Sequence, residues 1–276
     1  MKIGFIGLGM MGSRMAARLL HFDLMVATHT ASKAAAWPGK HGSYEEVARH
    51  SQIILLCVSD DDAVRSVASA ILPHIAPGTI VVDTSTVSPA VAEEMASRGV
   101  LWLDAPVSGG IIGAEKGTLT IMVGGDQGAL DCAWPVLEAL SSRITHFGPT
   151  GSGLKVKMCN QVMAAINTAG VCEALTLASK HGLDLEKVHR ALLPGTGGGW
   201  VFEHFAPQMI RGDYAPGFMV KWQLKDLGIA LGEKLPLPTA SAAYQLLLAA
   251  QAQGHGDCGT SVLFPMLQKM SGMNEK

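Results

Sequence analysis

"KIGFIGLGMMGSRMAARLL", residues 2–20, decides how this chain is read. "KIGFIG" has the apolar character of a short buried strand. Met11, Met15 and Leu19, with Ala16 and Leu20, then recur at helical spacing. Between them, Gly7, Gly9 and Gly12 are spaced G-x-G-x-x-G. In a strand–turn–helix setting each glycine has a task. Gly7 permits the tight turn, Gly9 lets the backbone approach a pyrophosphate, and Gly12 lets the helix pack on its strand. A helix N-terminus adds unpaired N–H groups and partial positive charge for the phosphates. Gly7, Leu8, Gly9, Met10, Met11 and Gly12 are thus the expected dinucleotide contacts. The spacing alone is a weak signal, and a structural glycine turn competes with it. The rest of the chain decides.

The first half keeps alternating. "LMVAT" (24–28) and "IILLCV" (53–58) read as strands, and a helix follows from about 62 to 71. "TIVVD" (79–83), a helix after Pro89, and "LWLDA" (101–105) come next. "TLTIMVGG" (118–125), a helix through about Leu140 and "ITHF" (144–147) complete the series. Such alternation predicts a mostly parallel, doubly wound sheet of Rossmann type with helices on both faces. After "GPTGSG" (148–153) only helical periodicity remains. "LKVKMCNQVMAAINTAGVCEALTLASKHG" contains no proline and reads as one long helix, with Gly182 as its C-cap. Further helices are expected at about 184–193, 201–211, 217–233, 237–253 and 260–271. The expected organisation is α/β over residues 1–150 and all-α over 151–276, joined by the long helix.

Composition narrows the function. Of 276 residues 48% are hydrophobic and 16% charged, enough apolar character for folded cores. No apolar run is read as approaching the roughly 18 residues of a membrane span, and the N-terminus lacks the pattern of a signal peptide, so a cytoplasmic protein without a membrane partner is expected. A net charge of −2 without a basic run argues against nucleic acid. The five cysteines are widely spaced and form no C-x-x-C, and the ten histidines show no paired zinc spacing. Small buried cysteines of a reducing compartment, neither ligands nor disulfides, and no metal site are expected.

The dinucleotide's ribose is read near the end of the second strand, where an acid favours NAD. Here the segment is "THTASK" (28–33), with no acid, and Asp23 lies at the other end of the strand. Hydroxyls at Thr30 and Ser32, with Lys33 and His29, suit a 2′-phosphate. The reading favours NADP(H) over NAD(H), although the arginine common in NADP sites is missing.

Four further segments carry a resemblance. They are "VVDTSTVSP" (81–89), "DAPVSGG" (104–110) with "GTLTIMVGG" (117–125), "GSGLKVKMCNQ" (151–161) and "FMVKWQLKDLGIAL" (218–231). Taken singly, the first is a strand ending in a Ser/Thr-Pro turn, the second a glycine loop, and the last two solvated lysines on helices. Together with the opening fingerprint, in this order and spacing, they resemble the β-hydroxyacid dehydrogenase family over nearly the full length. That family includes 3-hydroxyisobutyrate dehydrogenases and semialdehyde reductases.

The resemblance implies residue roles. Thr86, with Val58 and Ser59 after the "IILLCV" strand, touches cofactor. Ser108, Gly109 and Gly110 hold a carboxylate, for which a hydroxyl and bare backbone N–H groups are suited. Lys157 is the general acid/base. Lys157, Asn160 and Gln161 stand at i, i+3 and i+4 and share a helix face, whereas Lys155 points elsewhere. Asn160 orients Lys157 or holds a substrate hydroxyl, and Gln161 is a further substrate contact. Lys225 lies near nicotinamide and substrate, with Asp226 beside it at the cofactor. Trp200, after the glycines of "PGTGGGW" (194–200), is a candidate pocket wall, with a flexible interhelical loop as the equal alternative.

The implied reaction is hydride transfer between the cofactor and a small aldehyde acid or the matching alcohol, in a homodimer or homotetramer. Lys157 gives or takes the proton, which requires burial or a neighbouring cation such as Lys225 to pull its pKa toward neutrality. The alternatives are an imine-reductase-like enzyme, against which Lys157 argues, and a non-catalytic NADP-binding protein of the same fold. One departure stands out. "GHGDCGTS" (254–261) puts Gly259 where the family often has an aspartate, so Asp257 must substitute or the enzyme does without it.

Overall fold

The computed structural model describes residues 1–273. The chain divides into two compact units, Met1–Lys157 and Met158–Lys276. In the first, β1 (Lys2–Ile6), α1 (Gly12–Arg18), β2 (Asp23–Ala27), α2 (Ala31–Ala35), β3 (Lys40–His41), α3 (Tyr44–His50), β4 (Ile53–Leu56) and α4 (Asp61–Ile71) follow in order. Then come β5 (Ile80–Asp83), α5 (Pro89–Ala96), β6 (Leu101–Asp104), β7 (Val107–Ser108), α6 (Gly110–Lys116), β8 (Leu119–Val123), α7 (Gln127–Glu138) and β9 (Ser141–His146). Six strands form a parallel sheet in the order β3-β2-β1-β4-β5-β6. The order reverses at β1, which is where open α/β sheets bind their ligands.

A parallel sheet covered on both faces needs strands that are apolar on both sides. β4 shows this: Ile53 and Leu55 join one core, Ile54 and Leu56 the other. Met15 and Ala16 from α1, Leu19 just beyond its end, and Leu130, Ala133 and Val136 from α7 complete the first core. Val47, Val64, Val67, Val91 and Met95 from α3, α4 and α5 complete the second.

Two features differ from the sequence expectation. The last strands do not extend the main sheet. They form a second sheet, β7-β8-β9, whose β7–β8 pair is antiparallel and whose β8–β9 pair is parallel. Several short elements carry too little periodicity to be read from sequence: α2, β3, α3, β7 and α6. α3 did carry one signal. Ser43 accepts from the Glu46 N–H while Glu46 reaches back to the Ser43 N–H, a capping box.

α8 (Ser152–Lys180) begins in the first unit and continues into the second. It ends at Gly182, whose φ of +65° closes the helix with the Leu183 N–H bonded to the Ala178 carbonyl. By length and composition α8 could cross a membrane, against the expectation that no segment could. A core helix meets the same criterion. Ala165, Ala169, Cys172 and Leu175 are buried in the second unit's core with residues of α10 (Trp200–Ile210), α11 (Val220–Gly232), α12 (Pro238–Ala252) and α13 (Leu263–Met270). α9 (Leu185–Leu192) completes the helices of this unit among the described residues.

The five cysteines are unbridged. Burial pushes the Cys57 thiol up to about 11 and also raises that of Cys172, whereas Cys132 and Cys159 are exposed, against the expectation that the cysteines are buried. A thiol must ionise to react. Iodoacetamide on the native protein is expected to modify Cys132 and Cys159 before Cys57 and Cys172, read by peptide mass mapping. Early labelling of Cys57 would contradict this packing.

Candidate active site

In the first unit the expected site residues collect at the carboxyl ends of the parallel strands. Gly7–Gly12 follow β1, and His29, Thr30 and Lys33 follow β2. Val58 and Ser59 follow β4, Thr86 follows β5, and Ser108–Gly110 follow β6. The three glycines of the fingerprint are held in different ways. Gly7 has φ +106°, and a Cβ there would stand 2.2 Å from the Cys57 carbonyl oxygen. A Cβ on Gly12 would stand 1.9 Å from the Gly7 carbonyl oxygen. Gly9 alone faces open space, with nothing within 4 Å. The turn is thus packed from beneath and bare above, a cradle that fits a pyrophosphate.

The neighbouring loops are braced by their own side chains. Val58 N–H donates to Ser85 Oγ (2.9 Å), Ser85 N–H donates to Asp83 Oδ1 (2.9 Å), and Thr84 Oγ1 donates to the Leu56 carbonyl (2.6 Å). Ser59 Oγ donates to Asp60, which caps α4 through the Ala63 N–H. His29, Thr30 and Lys33 are exposed, and Thr30 is the residue before α2, so Ser32 and Lys33 lie in a short helix. Asp23 sits at the start of β2, paired with Lys40 at 2.7 Å. No acid occupies the far end of β2, where the ribose is read.

Lys157 is 6% exposed, in the second turn of α8. Its Nζ donates to the Val107 carbonyl at 2.8 Å. A buried ammonium needs such an acceptor. Val107 directly precedes Ser108, Gly109 and Gly110. Ser108 pairs with Thr120 in the second sheet, and Gly109 and Gly110 take φ of +128° and +61° as α6 begins. Lys155 behaves differently, being exposed and paired with Glu93 at 3.2 Å.

The start of α8 rests on a residue that the sequence reading did not select. Asp104, at the end of β6, has no exposed surface. It accepts from the Gly151 N–H (2.7 Å) and the Leu154 N–H (2.9 Å). Burial pushes its carboxyl up, and the N–H groups of Gly151, Leu154 and Gly153 oppose that shift. Bare glycines make the seat possible. A Cβ on Gly124 would stand 2.6 Å from Asp104 Oδ1, and one on Gly153 would stand 2.3 Å from the Met122 carbonyl. The only sequence signal was an acid closing an otherwise apolar strand.

In the second unit the expected residues form a polar chain. Asn160 Nδ2 donates to Gln161 Oε1 (2.8 Å), and Gln161 Nε2 donates to Asp226 Oδ2 (2.5 Å). Lys225 Nζ lies 2.8 Å from Asp226 Oδ1. Asp226 is therefore buried, hydrogen-bonded through Oδ2 and ion-paired with Lys225 through Oδ1, which accepts no hydrogen bond of good geometry among the described residues. α11, which carries both, is held at its start by loop carbonyls: Val220 N–H bonds to Cys258 and Lys221 N–H to Gly256.

Gly259 has no room for a side chain, since a Cβ would stand 2.9 Å from the Ala215 carbonyl. Asp257 is a surface residue paired with Lys221 at 2.5 Å. Trp200 is half exposed and stacks on His204 at 4.4 Å, while Gly198 packs against the Leu193 carbonyl. No cluster of potential metal ligands occurs among the described residues.

Comparison with known proteins adds to this geometry. Residues 2–148 match the family described as the NAD binding domain of 6-phosphogluconate dehydrogenase. Residues 151–267 match the NAD-binding family of NADP-dependent 3-hydroxyisobutyrate dehydrogenase. The chain is 37% identical to 2-(hydroxymethyl)glutarate dehydrogenase of Eubacterium barkeri, over 99% of this chain and 97% of that protein. Among solved structures it resembles 3-hydroxyisobutyrate dehydrogenase of Salmonella typhimurium (30% identity, 96% and 99% of the two chains, TM-score 0.87). It also resembles the Mycobacterium tuberculosis 3-hydroxyisobutyrate dehydrogenase studied with L-serine (32% identity, 97% and 99%, TM-score 0.86).

The cradle is open to a direct test. Gly9→Ala is expected to leave thermal stability unchanged and to weaken NADPH binding, read by fluorescence titration. Gly12→Ala is expected to destabilise the unliganded protein by about 1–3 kcal/mol through overpacking. Unaltered NADPH affinity in Gly9→Ala would contradict the assignment.

Proposed function

We propose that this chain, which belongs to the 3-hydroxyisobutyrate dehydrogenase family of NAD(P)-binding oxidoreductases, interconverts a small hydroxyacid and the matching semialdehyde acid with Lys157 as general acid/base. The observation that carries this reading is the bond from Lys157 Nζ to the Val107 carbonyl. It holds a buried ammonium one residue away from the Ser108–Gly110 loop. Proton donor and carboxylate anchor are thereby tied to one short segment.

The roles divide by chemistry. The nicotinamide cofactor, held over Gly7–Gly12 with Val58, Ser59 and Thr86 nearby, supplies or accepts the hydride. Ser108 and the N–H groups of Gly109 and Gly110 hold the substrate carboxylate. The bond to the Val107 carbonyl fixes the position of the nitrogen beside the loop. During reduction Lys157 gives a proton to the oxygen on which negative charge develops, and during oxidation it takes that proton back. Asn160, one turn further along α8, hydrogen-bonds the same oxygen. Gln161 and Asp226 hold Asn160 and Lys225 in orientation. NADP(H) is preferred over NAD(H), because Thr30, Ser32, Lys33 and His29 offer hydroxyls and a cation in place of an acid. Exposed Met163 and Leu177 on α8 support a homodimer or homotetramer, and the unbridged cysteines suit the cytoplasm.

The protein is to be screened with NADPH and NADH against glyoxylate, succinic semialdehyde, tartronate semialdehyde and methylmalonate semialdehyde. Lys157→Ala should lower kcat by about 10²–10⁴-fold while NADPH still binds. Near-wild-type turnover would remove the proposed acid/base. Asp at position 28 or 29 (Thr28→Asp or His29→Asp) should shift the preference toward NADH, and no shift would show that the ribose is read elsewhere.

A further inference from the structure

Lys157 reaches the Val107 carbonyl only because the first turn of α8 stands at a fixed height above the end of β6. Two bonds set that height, both to Asp104: Gly151 N–H to Oδ1 and Leu154 N–H to Oδ2. Leu154 is itself buried in the core beneath the sheet, so the turn is clamped by packing and by the carboxylate together. Three residues beyond Asp104, the same segment meets the same helix again through Val107 and Lys157. Residues 104–107 and 151–157 therefore form a closed ring of covalent and hydrogen bonds. The Asp104 main chain is tied down as well, exchanging N–H···O bonds of 3.1 and 2.8 Å with Gly124. These bonds link the Asp104 carboxylate to the segment that carries Lys157 and to the one that leads into Ser108–Gly110.

We propose that Asp104 is a positioning residue for the reaction: its buried carboxylate holds the start of α8 so that the Lys157 amine is correctly placed against a substrate anchored on the 108–110 loop. This rests on Lys157 being the acid/base. The carboxylate has no exposed surface and touches no reacting atom; it acts through the helix. Proton transfer is sensitive to such placement, since a misplacement of about 1 Å can cost 10²-fold in rate. A neutral amide at this position would keep the shape but offer one acceptor where two N–H groups now bond, and it would lose the charge that favours a helix N-terminus.

The test is Asp104→Asn, with turnover expressed per NADPH-binding site, using whichever semialdehyde acid of the screen is reduced fastest. The expected result is NADPH affinity within about twofold of wild type and kcat lowered about 10–100-fold, with a smaller change in KM. The pH limb of kcat set by Lys157 should be displaced as well. A purely structural role would reduce the number of binding-competent molecules and leave their kcat and pH profile alone. That result would overturn the proposal.

Should Asp104→Asn fail to fold, Gly153→Ala takes its place. Its Cβ would stand 2.9 Å from Asp104 Oδ2 and 2.3 Å from the Met122 carbonyl, lifting the helix start with the carboxylate left in place. It is expected to lower kcat per site in the same way, and an unchanged kcat and pH limb would again overturn the proposal. Lys157→Ala, run in parallel, separates the two ideas. Wild-type turnover in that variant sinks the acid/base reading itself, whereas a dead Lys157→Ala beside a fully active Asp104→Asn sinks only the positioning role.

Discussion

Two hydrogen bonds to one buried carboxylate hold the start of the long helix. A helix of this length could begin a residue earlier or later at little cost to its own backbone. What fixes it is Asp104, which takes the Gly151 and Leu154 N–H groups that no turn of helix precedes. Burial alone would favour the neutral acid, and its carboxyl is indeed pushed up. The N–H groups and the positive end of the helix work against that cost. Charge-assisted bonds of this kind contribute about 1.5–3 kcal/mol each, and losing the acceptor would strand two buried donors. The position of Lys157 follows from that seat.

The first unit separates support from chemistry. Beneath the strand ends, glycines and small hydroxyls pack tightly: Gly12 on Gly7, Thr84 on Leu56, Ser85 between Val58 and Asp83. Above them the chain is bare at Gly9 and exposed at His29, Thr30 and Lys33. A ligand that uses main-chain N–H groups for its phosphates needs both, a rigid floor and an unobstructed approach. The second unit uses a different device. Its polar side chains run in a line from Asn160 through Gln161 to Asp226 by hydrogen bonds, and from Asp226 to Lys225 by an ion pair.

The parts of the fold that are legible in sequence are those written in local pattern. The fingerprint, the buried strands and the long helix each carry their period within a few turns or residues. The contrast between Lys155 and Lys157 is also local, because two positions apart on a helix means opposite faces. Short elements escape: α2, β3 and β7 are too brief for any period to develop, and α6 is a single short helix that begins with Gly110 and is interrupted by Gly113. The antiparallel β7–β8 pair is decided by tertiary pairing alone. Asp104 escaped for another reason. Its partners lie nearly fifty residues away, and nothing near it in sequence announces a helix cap. Gly259 was visible as a departure from the family, but its cause is the approach of the Ala215 carbonyl, which no motif encodes.

The central claim is that the ammonium held at Val107 is the group that exchanges a proton with the substrate. The most direct measurement is a crystal structure of the protein with NADP+ and the hydroxyacid it oxidises. The account predicts Lys157 Nζ within hydrogen-bond distance, about 2.7–3.2 Å, of the substrate hydroxyl, with the carboxylate on the Ser108–Gly110 loop. A bound hydroxyacid whose hydroxyl meets a different proton donor, with Lys157 still turned away to Val107, would contradict it.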